Sequence, residues 1–184
     1  YAEFANTLGI TKFSNYTPKL QEIMGNLTGF IEIEFGYCFD PGKFEEIGAL
    51  VTRRTSTIEA NAAANEQDVH ITLEYPLNVK EKQTNTSIDS FSVTLPIRLK
   101  QLHESSVEII GKIKDTQPGT YDLSADCGSY NKNGLTNLYV RNSDDGSAKV
   151  IQLVDFSTYK QHYFKSYIFQ FAVKNADVVG TCAG

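Results

Sequence analysis

The chain has no tryptophan, one methionine and only three cysteines in 184 residues. The cysteines, Cys38, Cys127 and Cys182, lie far apart, and none forms a C-x-x-C pair. That spacing argues against a zinc ribbon or a thioredoxin-like centre. Basic runs are missing as well. The longest is the pair Arg53-Arg54, and the net charge is −5. A nucleic-acid footprint needs clustered Lys and Arg, so no nucleic-acid partner is expected. No apolar stretch approaches the roughly 20 residues that cross a bilayer as a helix, so no membrane-spanning segment is expected. Phosphate loops are absent too: Gly128 to Gly134 reads Gly-Ser-Tyr-Asn-Lys-Asn-Gly, which matches neither phosphate-loop spacing.

What is present points to a β-rich globular chain. Hydrophobic residues make up 41% of it, enough for a core, so disorder is not the default. The 10 Tyr and 11 Phe suit the faces of sheets. The clearest pattern is two strand-like runs followed by a helix. In Asp68 to Val79, Val69, Ile71, Leu73 and Tyr75 share one face, and His70, Thr72 and Glu74 share the other. In Ser90 to Leu99, Phe91, Val93, Leu95 and Ile97 alternate with Ser92 and Thr94. Such alternation predicts antiparallel strands with one dry side and one wet side. Pro76 and Pro96 fall inside these runs and are expected at bulges or edge positions. Leu99, Leu102, Ser106, Ile109, Ile110 and Ile113 then recur at helical spacing, which predicts one amphipathic helix over 98–114 lying across a sheet face.

The flanks are read the same way. Thr17-Pro18, with Gly25 after Lys-Leu-Gln-Glu-Ile-Met, has the marks of a short capped helix. Phe30 to Phe35 alternates and is expected to be a strand. Asp40-Pro41-Gly42 opens a turn or one helical turn that Gly48 ends. Ala49 to Ala60 is expected as a polar edge strand, Asn61 to Asn65 as a hairpin loop, and the polar stretch Lys80 to Ser87 as an exposed hairpin end. Leu135 to Arg141 and Ala148 to Phe156 read as a hairpin with Asp145-Gly146 at its tip. Tyr167 to Val173 carries the strongest single strand signal. The expected architecture is α+β: an antiparallel sheet of five to seven strands with the 98–114 helix on one face. Residues 1–29 are expected as an N-terminal segment with a short helix, and 30–184 as a single domain.

Two features point outside the cell. Sequons occur at Asn15-Tyr16-Thr17, Asn26-Leu27-Thr28 and Asn85-Thr86-Ser87. Asn85 leads as a glycan acceptor because it lies in the polar stretch between the two best strands, and Asn15 and Asn26 follow. Three cysteines in an oxidising compartment give one disulfide and one odd thiol as the simplest count. Cys127 is expected in the bond, since it lies in a loop of Gly, Ser and Asn. Cys127–Cys182 is the first choice and Cys38–Cys127 the runner-up. The chain begins at Tyr1 rather than Met, which fits a trimmed fragment or a mature product.

The segments Glu74-Tyr75-Pro76-Leu77, Ser90 to Leu99 with its Leu95-Pro96-Ile97-Arg98-Leu99 ending, and Tyr167 to Lys174 carry a resemblance. Over roughly residues 38 to 175 the chain resembles uncharacterised archaeal secreted or membrane-anchored surface proteins. In these a strand ending in Tyr-Pro-Leu, a polar hairpin and a strand ending in Pro-hydrophobic-Arg-Leu precede a helix. The resemblance implies an extracellular α+β domain, and it implies no chemistry.

Motifs for chemistry are thin. His103-Glu104 opens like a zinc-protease motif, but the second His position is Val107. Asn142 to Gly146 offers oxygen ligands, with Asp155 beyond, yet lacks the alternation and closing Glu of a calcium loop; a plain turn is the better account. Glu32, Glu34, Glu45 and Glu46 are explained by strand alternation and a helix start rather than by acid–base pairing. His70 lies on the wet face of its strand. Tyr159, His162, Tyr163, Phe164 and Tyr167 form an aromatic connector that reads as a core edge ahead of a binding surface. No cofactor and no metal are expected, and no enzymatic role. The reading is a non-enzymatic extracellular surface protein, structural or adhesive, a candidate subunit of a surface layer or filament. The alternative is a binding module for a peptide, glycan or protein partner. Tyr1 to Thr28 has few apolar residues at a fixed period, so residues near the N-terminus are expected to serve as an assembly arm in self-association.

Overall fold

The computed structural model describes residues 17–131, 137–156, 166–174 and 176–183. The described chain is α+β and falls into two compact units. One holds Pro18–Ala63 and His70–Leu95, the other Ala64–Val69 and the described residues from Pro96 onward. Residues 30–184, expected as one domain, are thus divided between them.

The first described element of the first unit is α1 (Leu20–Cys38). Glu22 accepts the backbone N–H of Lys19 at 2.9 Å, so a carboxylate closes the first turn. Two expectations are corrected here. The helix does not stop at Gly25, and Phe30 to Phe35 is helix, not strand. The six-residue alternation of 30–35 fits both periods. Over a longer window Met24, Leu27, Ile31 and Phe35 recur at spacings of three and four, which is a helical stripe. Ile31 and Phe35, with Phe39 just past the helix end, pack against Val51, Leu73, Tyr75 and Leu77 of the sheet. That burial outweighs the roughly 1 kcal/mol that each internal glycine costs a helix. A short α2 (Gly42–Glu45) follows, with Asp40 accepting the Gly42 N–H, and Gly48 leaves it at a φ of 85°.

Four strands make the sheet: β1 (Ala49–Arg53), β2 (Glu59–Ala64), β3 (Val69–Glu81) and β4 (Thr84–Leu95). β3 is the hub, bonded to the other three. The span 49–60, expected as one strand, is broken at 54–58. The expected loop 61–65 lies mostly within β2. The turn falls instead at 65–68, where Asn65 N–H and Nδ2 bond the carbonyl and carboxylate of Asp68, both at 2.8 Å. Pairing along β3 overrides the weak strand preference of Ala and Asn. Only Lys82 and Gln83 form the β3–β4 turn, with Lys82 at a φ of 51°. The stretch 80–87 is therefore mostly strand.

The alternation of β3 holds: Val69, Leu73, Tyr75 and Leu77 are buried, while His70, Glu74 and Asn78 are exposed. β4 departs from expectation. Phe91 and Val93 are 39% and 47% exposed, so neither side of this strand is dry. Pro76 sits where the β1 ladder ends. The register stops at Arg53 opposite Leu77, and Arg54 N–H still donates to the Pro76 carbonyl at 3.0 Å. The reciprocal bond would need an N–H that proline lacks. Pro96 follows β4 directly and lies outside it.

The second unit is built on α3 (Leu99–Thr116) and the sheet β10-β6-β7-β8. Its strands are β6 (Asn137–Asn142), β7 (Ala148–Asp155), β8 (Tyr167–Lys174) and β10 (Cys182–Ala183). Leu102, Ile109 and Ile113 of α3 share one buried cluster with Leu138, Ile151 and Leu153 of the sheet. β8 adds Tyr167, Phe169, Phe171 and Val173 from one face. The β6–β7 hairpin turns through Asp145-Gly146, with Gly146 at a φ of 68°. One pairing has no counterpart in the sequence reading: β5 (Thr120–Asp122) and β9 (Asp177–Val179) run parallel. Gly180, at a φ of 88°, follows β9; a Cβ there would meet Asp122 Oδ1 at 2.5 Å. Only glycine lets the chain pass so close on its way to β10.

Candidate functional site

The polar centre of the second unit lies between the end of α3 and the segment after β5. A 3₁₀ turn (Leu123–Asp126) leads into α4 (Cys127–Asn131). Asp122 starts that turn by accepting Ser124 N–H at 3.0 Å and Ser124 Oγ–H at 2.6 Å. The turn aims Asp126 back toward α3, where Lys112 Nζ meets its Oδ1 at 3.1 Å. Lys112 also reaches Glu108 at 3.1 Å and lies 5.3 Å from the Tyr130 ring centroid. Tyr121 O–H donates to Asp126 Oδ2 at 2.7 Å, and its oxygen is 3.1 Å from that of Tyr130. Next in sequence, Cys127 is bonded to Cys182 of β10, with 5.4 Å between their Cα atoms. Cys38 is free and exposed.

The charges in this group are settled. Burial, then the bonds to Tyr130 and Asp126, hold the Tyr121 phenol well above the ordinary range. Burial also raises Tyr130. Burial pulls Lys112 down, but its bonds to Asp126 and Glu108 win and raise it. The Tyr121 bond, then Lys112, lowers Asp126 against burial. Near neutral pH Lys112 is held as the cation, Asp126 as the carboxylate, and Tyr121 and Tyr130 as neutral phenols. Such a group clamps α3, α4 and β5 together. Sequence reasoning missed it. Tyr121, Asp126 and Tyr130 follow no known motif spacing, and Lys112 reads as an ordinary helix-surface cation.

The residues singled out from sequence are scattered. Asn85 is exposed as the second residue of β4, and Asn26 is exposed on α1. Asn15, the arm near the N-terminus through residue 16, and Tyr159, His162, Tyr163 and Phe164 lie outside the described residues. His70 Nδ1 is 3.1 Å from Thr94 Oγ1 and its Nε2 3.3 Å from Thr72 Oγ1. Glu32 accepts the Ala60 N–H at 2.9 Å, while Glu34, Glu45 and Glu46 are exposed. Asp145 accepts from Ser143 Oγ at 2.6 Å and from Ser147 N–H at 3.0 Å, which closes the hairpin turn. Asp155 is bound by Arg98. Among the described residues no three or more His, Cys, Asp or Glu gather as a metal site, and no helix is long and apolar enough to cross a membrane.

No protein-family model, curated protein or solved structure matches this chain. The geometry therefore stands alone. A shallow depression of about 310 Å³ lies beside β6; Arg141, Lys149, Gly180 and Thr181 are among its lining.

Proposed function

We propose that this chain is a non-enzymatic extracellular surface protein, structural or adhesive, and a building block of a surface layer or filament. The observation that carries the reading is the Cys127–Cys182 bond. It ties the short terminal strand β10, which pairs with only Leu138 and Asn137 of β6, to the 3₁₀ turn and α4. Disulfides of this kind persist in oxidising surroundings and are rare where glutathione keeps thiols reduced. The exposed sequon at Asn85 adds to it. So does the resemblance to archaeal secreted or membrane-anchored surface proteins. The Tyr121–Asp126–Lys112 cluster fits a structural role, because its groups are locked in single charge states.

A soluble extracellular binding module is the second reading. The depression lined by Arg141 and Lys149 favours it, since paired cations suit an acidic ligand.

The test is the location and mass of the protein in its native host. Intact cells treated with a membrane-impermeant amine label should yield this chain labelled. Its mass should fall on glycosidase treatment, and alkylation before reduction should modify Cys38 alone. Unlabelled protein with three free thiols would overturn the reading.

A further inference from the structure

The strand β4 of the first unit is largely exposed. It spans twelve residues, Thr84–Leu95, and ten of them are exposed. Among the described residues its one strand partner is β3. β1 and β2 also pair with β3, and neither pairs with β4. Among the described residues, the outer edge of β4 therefore carries no strand, and its outward N–H and C=O groups have no ladder to join.

Edge strands that must stay alone are blunted by lysine, proline, glycine bulges or inward charge. β4 has none of these. The run Thr-Asn-Thr-Ser-Ile-Asp-Ser-Phe-Ser-Val-Thr-Leu holds no Lys, Arg, Pro or Gly. Its single charge, Asp89, is bonded by Arg54. Thr, Ile, Phe and Val give the strand high β-propensity, and the exposed Phe91 and Val93 lie two residues apart, on one face. A long, nearly neutral, unprotected edge is a template for another strand.

We infer that this edge is an interface, and that its occupant is β4 of a second copy, paired antiparallel about a two-fold axis. The charge pattern selects the partner. Self-pairing fails where like charges meet across the ladder, and here one strand brings one carboxylate. A register centred on Asp89 would set two carboxylates face to face. Centring on Phe91 avoids this and puts the two exposed rings across from one another, with Ser90 opposite Ser92 and Ile88 opposite Thr94. Nine residues, 87 to 95, then pair on each side. Aromatic pairs across strands are among the better cross-strand contacts. A two-fold contact of this type is closed, so its product is a dimer. The inference deepens the surface-protein reading by naming the partner, but its test needs no knowledge of location.

The experiment is sedimentation of the purified chain, whose single-copy mass is 20.5 kDa. Interfaces this narrow are weak, so twice that mass should be approached between about 10 µM and 1 mM. Phe91→Lys, which restores the usual protection of an edge, should weaken association at least tenfold while the far-ultraviolet circular dichroism stays that of the parent. In a Cys38→Ser background, Phe91→Cys should oxidise to a covalent dimer far faster than Asp89→Cys, which the register sets apart from its own copy. A parent that stays at 20.5 kDa at about 1 mM overturns the inference. So does association that Phe91→Lys leaves unchanged, or cross-linking equal at both cysteines. None of these results bears on where the protein resides. Conversely, a reduced, intracellular protein that still dimerises through Phe91 would sink the surface reading and leave this one intact.

Discussion

Arg98 and Asp155 form a bidentate ion pair inside the second unit. Arg98 Nε donates to Asp155 Oδ2 at 3.0 Å and Nη2 donates to Oδ1 at 2.5 Å. The Asp155 side chain is 0% exposed and the Arg98 side chain 11%. The pair fastens the residue that precedes α3 to the last residue of β7. Cutting one partner removes both of these bonds from a buried charge. Arg98→Met should cost about 3 to 5 kcal/mol of unfolding free energy, read from the shift of a urea midpoint. Arg98→Met with Asp155→Leu should recover most of it, because the pair's own desolvation penalty goes as well.

Two buried tyrosines should respond oppositely to loss of the hydroxyl. The Tyr75 ring packs edge-on against Phe35 and Phe39 at 5.1 and 5.2 Å, but among the described residues its hydroxyl has no hydrogen-bond partner. Tyr75→Phe should leave stability unchanged or raise it by about 1 kcal/mol. The Tyr121 hydroxyl serves Asp126 and Tyr130. Tyr121→Phe should cost about 1.5 to 3 kcal/mol, since its partner is charged. Thermal melts of the two variants give the comparison, and equal shifts would contradict it.

The hairpin turn should be sensitive to strong acid. Ser143 Oγ–H, Ser147 N–H and Ser147 Oγ–H all point at Asp145 and lower its carboxyl to about 2. The folded value lies below the unfolded one, so the contribution to stability is present above the ordinary carboxylate value and lost as pH falls through about 2. A carboxyl-carbon titration by NMR should find that midpoint. Ser143→Ala should move it upward toward the ordinary value.

Removing the Cys127–Cys182 bond should release a loop with a sequence separation of 55. The chain-entropy estimate is about 4 kcal/mol. Cys127→Ala with Cys182→Ala should lower the urea midpoint accordingly, and Cys38→Ser should not. A double variant as stable as the parent would show that β10 is held by its pairing alone.

Gly25 separates the two descriptions of the N-terminal helix. A Cβ there meets nothing within 4 Å, and the residue lies inside α1. Gly25→Ala should therefore stabilise by about 0.5 to 1 kcal/mol. A helix that ended at Gly25 in a left-handed residue would be destabilised by the same change.

Some of this was legible residue by residue. Val69, Leu73, Tyr75 and Leu77 alternate along β3 because a half-buried strand shows one face to its core. Leu102, Ile109 and Ile113 mark α3 because a helix covers a sheet with one stripe. The turn at Asp145-Gly146 was legible from its local chemistry. In α1, by contrast, Ile31 and Phe35 satisfy both periods within six residues; the longer stripe from Met24 and the cluster around Tyr75 go with the helix.

Local pattern by itself determined which residues form most strands, where α3 runs, and that the chain is α+β. These depend on neighbours a few positions apart, and side-chain periodicity records them. Tertiary structure alone decided the rest: the parallel pairing of Thr120 with Asp177, the gathering of Lys112, Tyr121 and Asp126, and the exposure of Phe91 on a strand whose alternation promised a dry side. Each of these depends on what lies opposite in space. An amino acid's own period cannot say whether a second layer arrives to cover it, or which distant charge will meet its own.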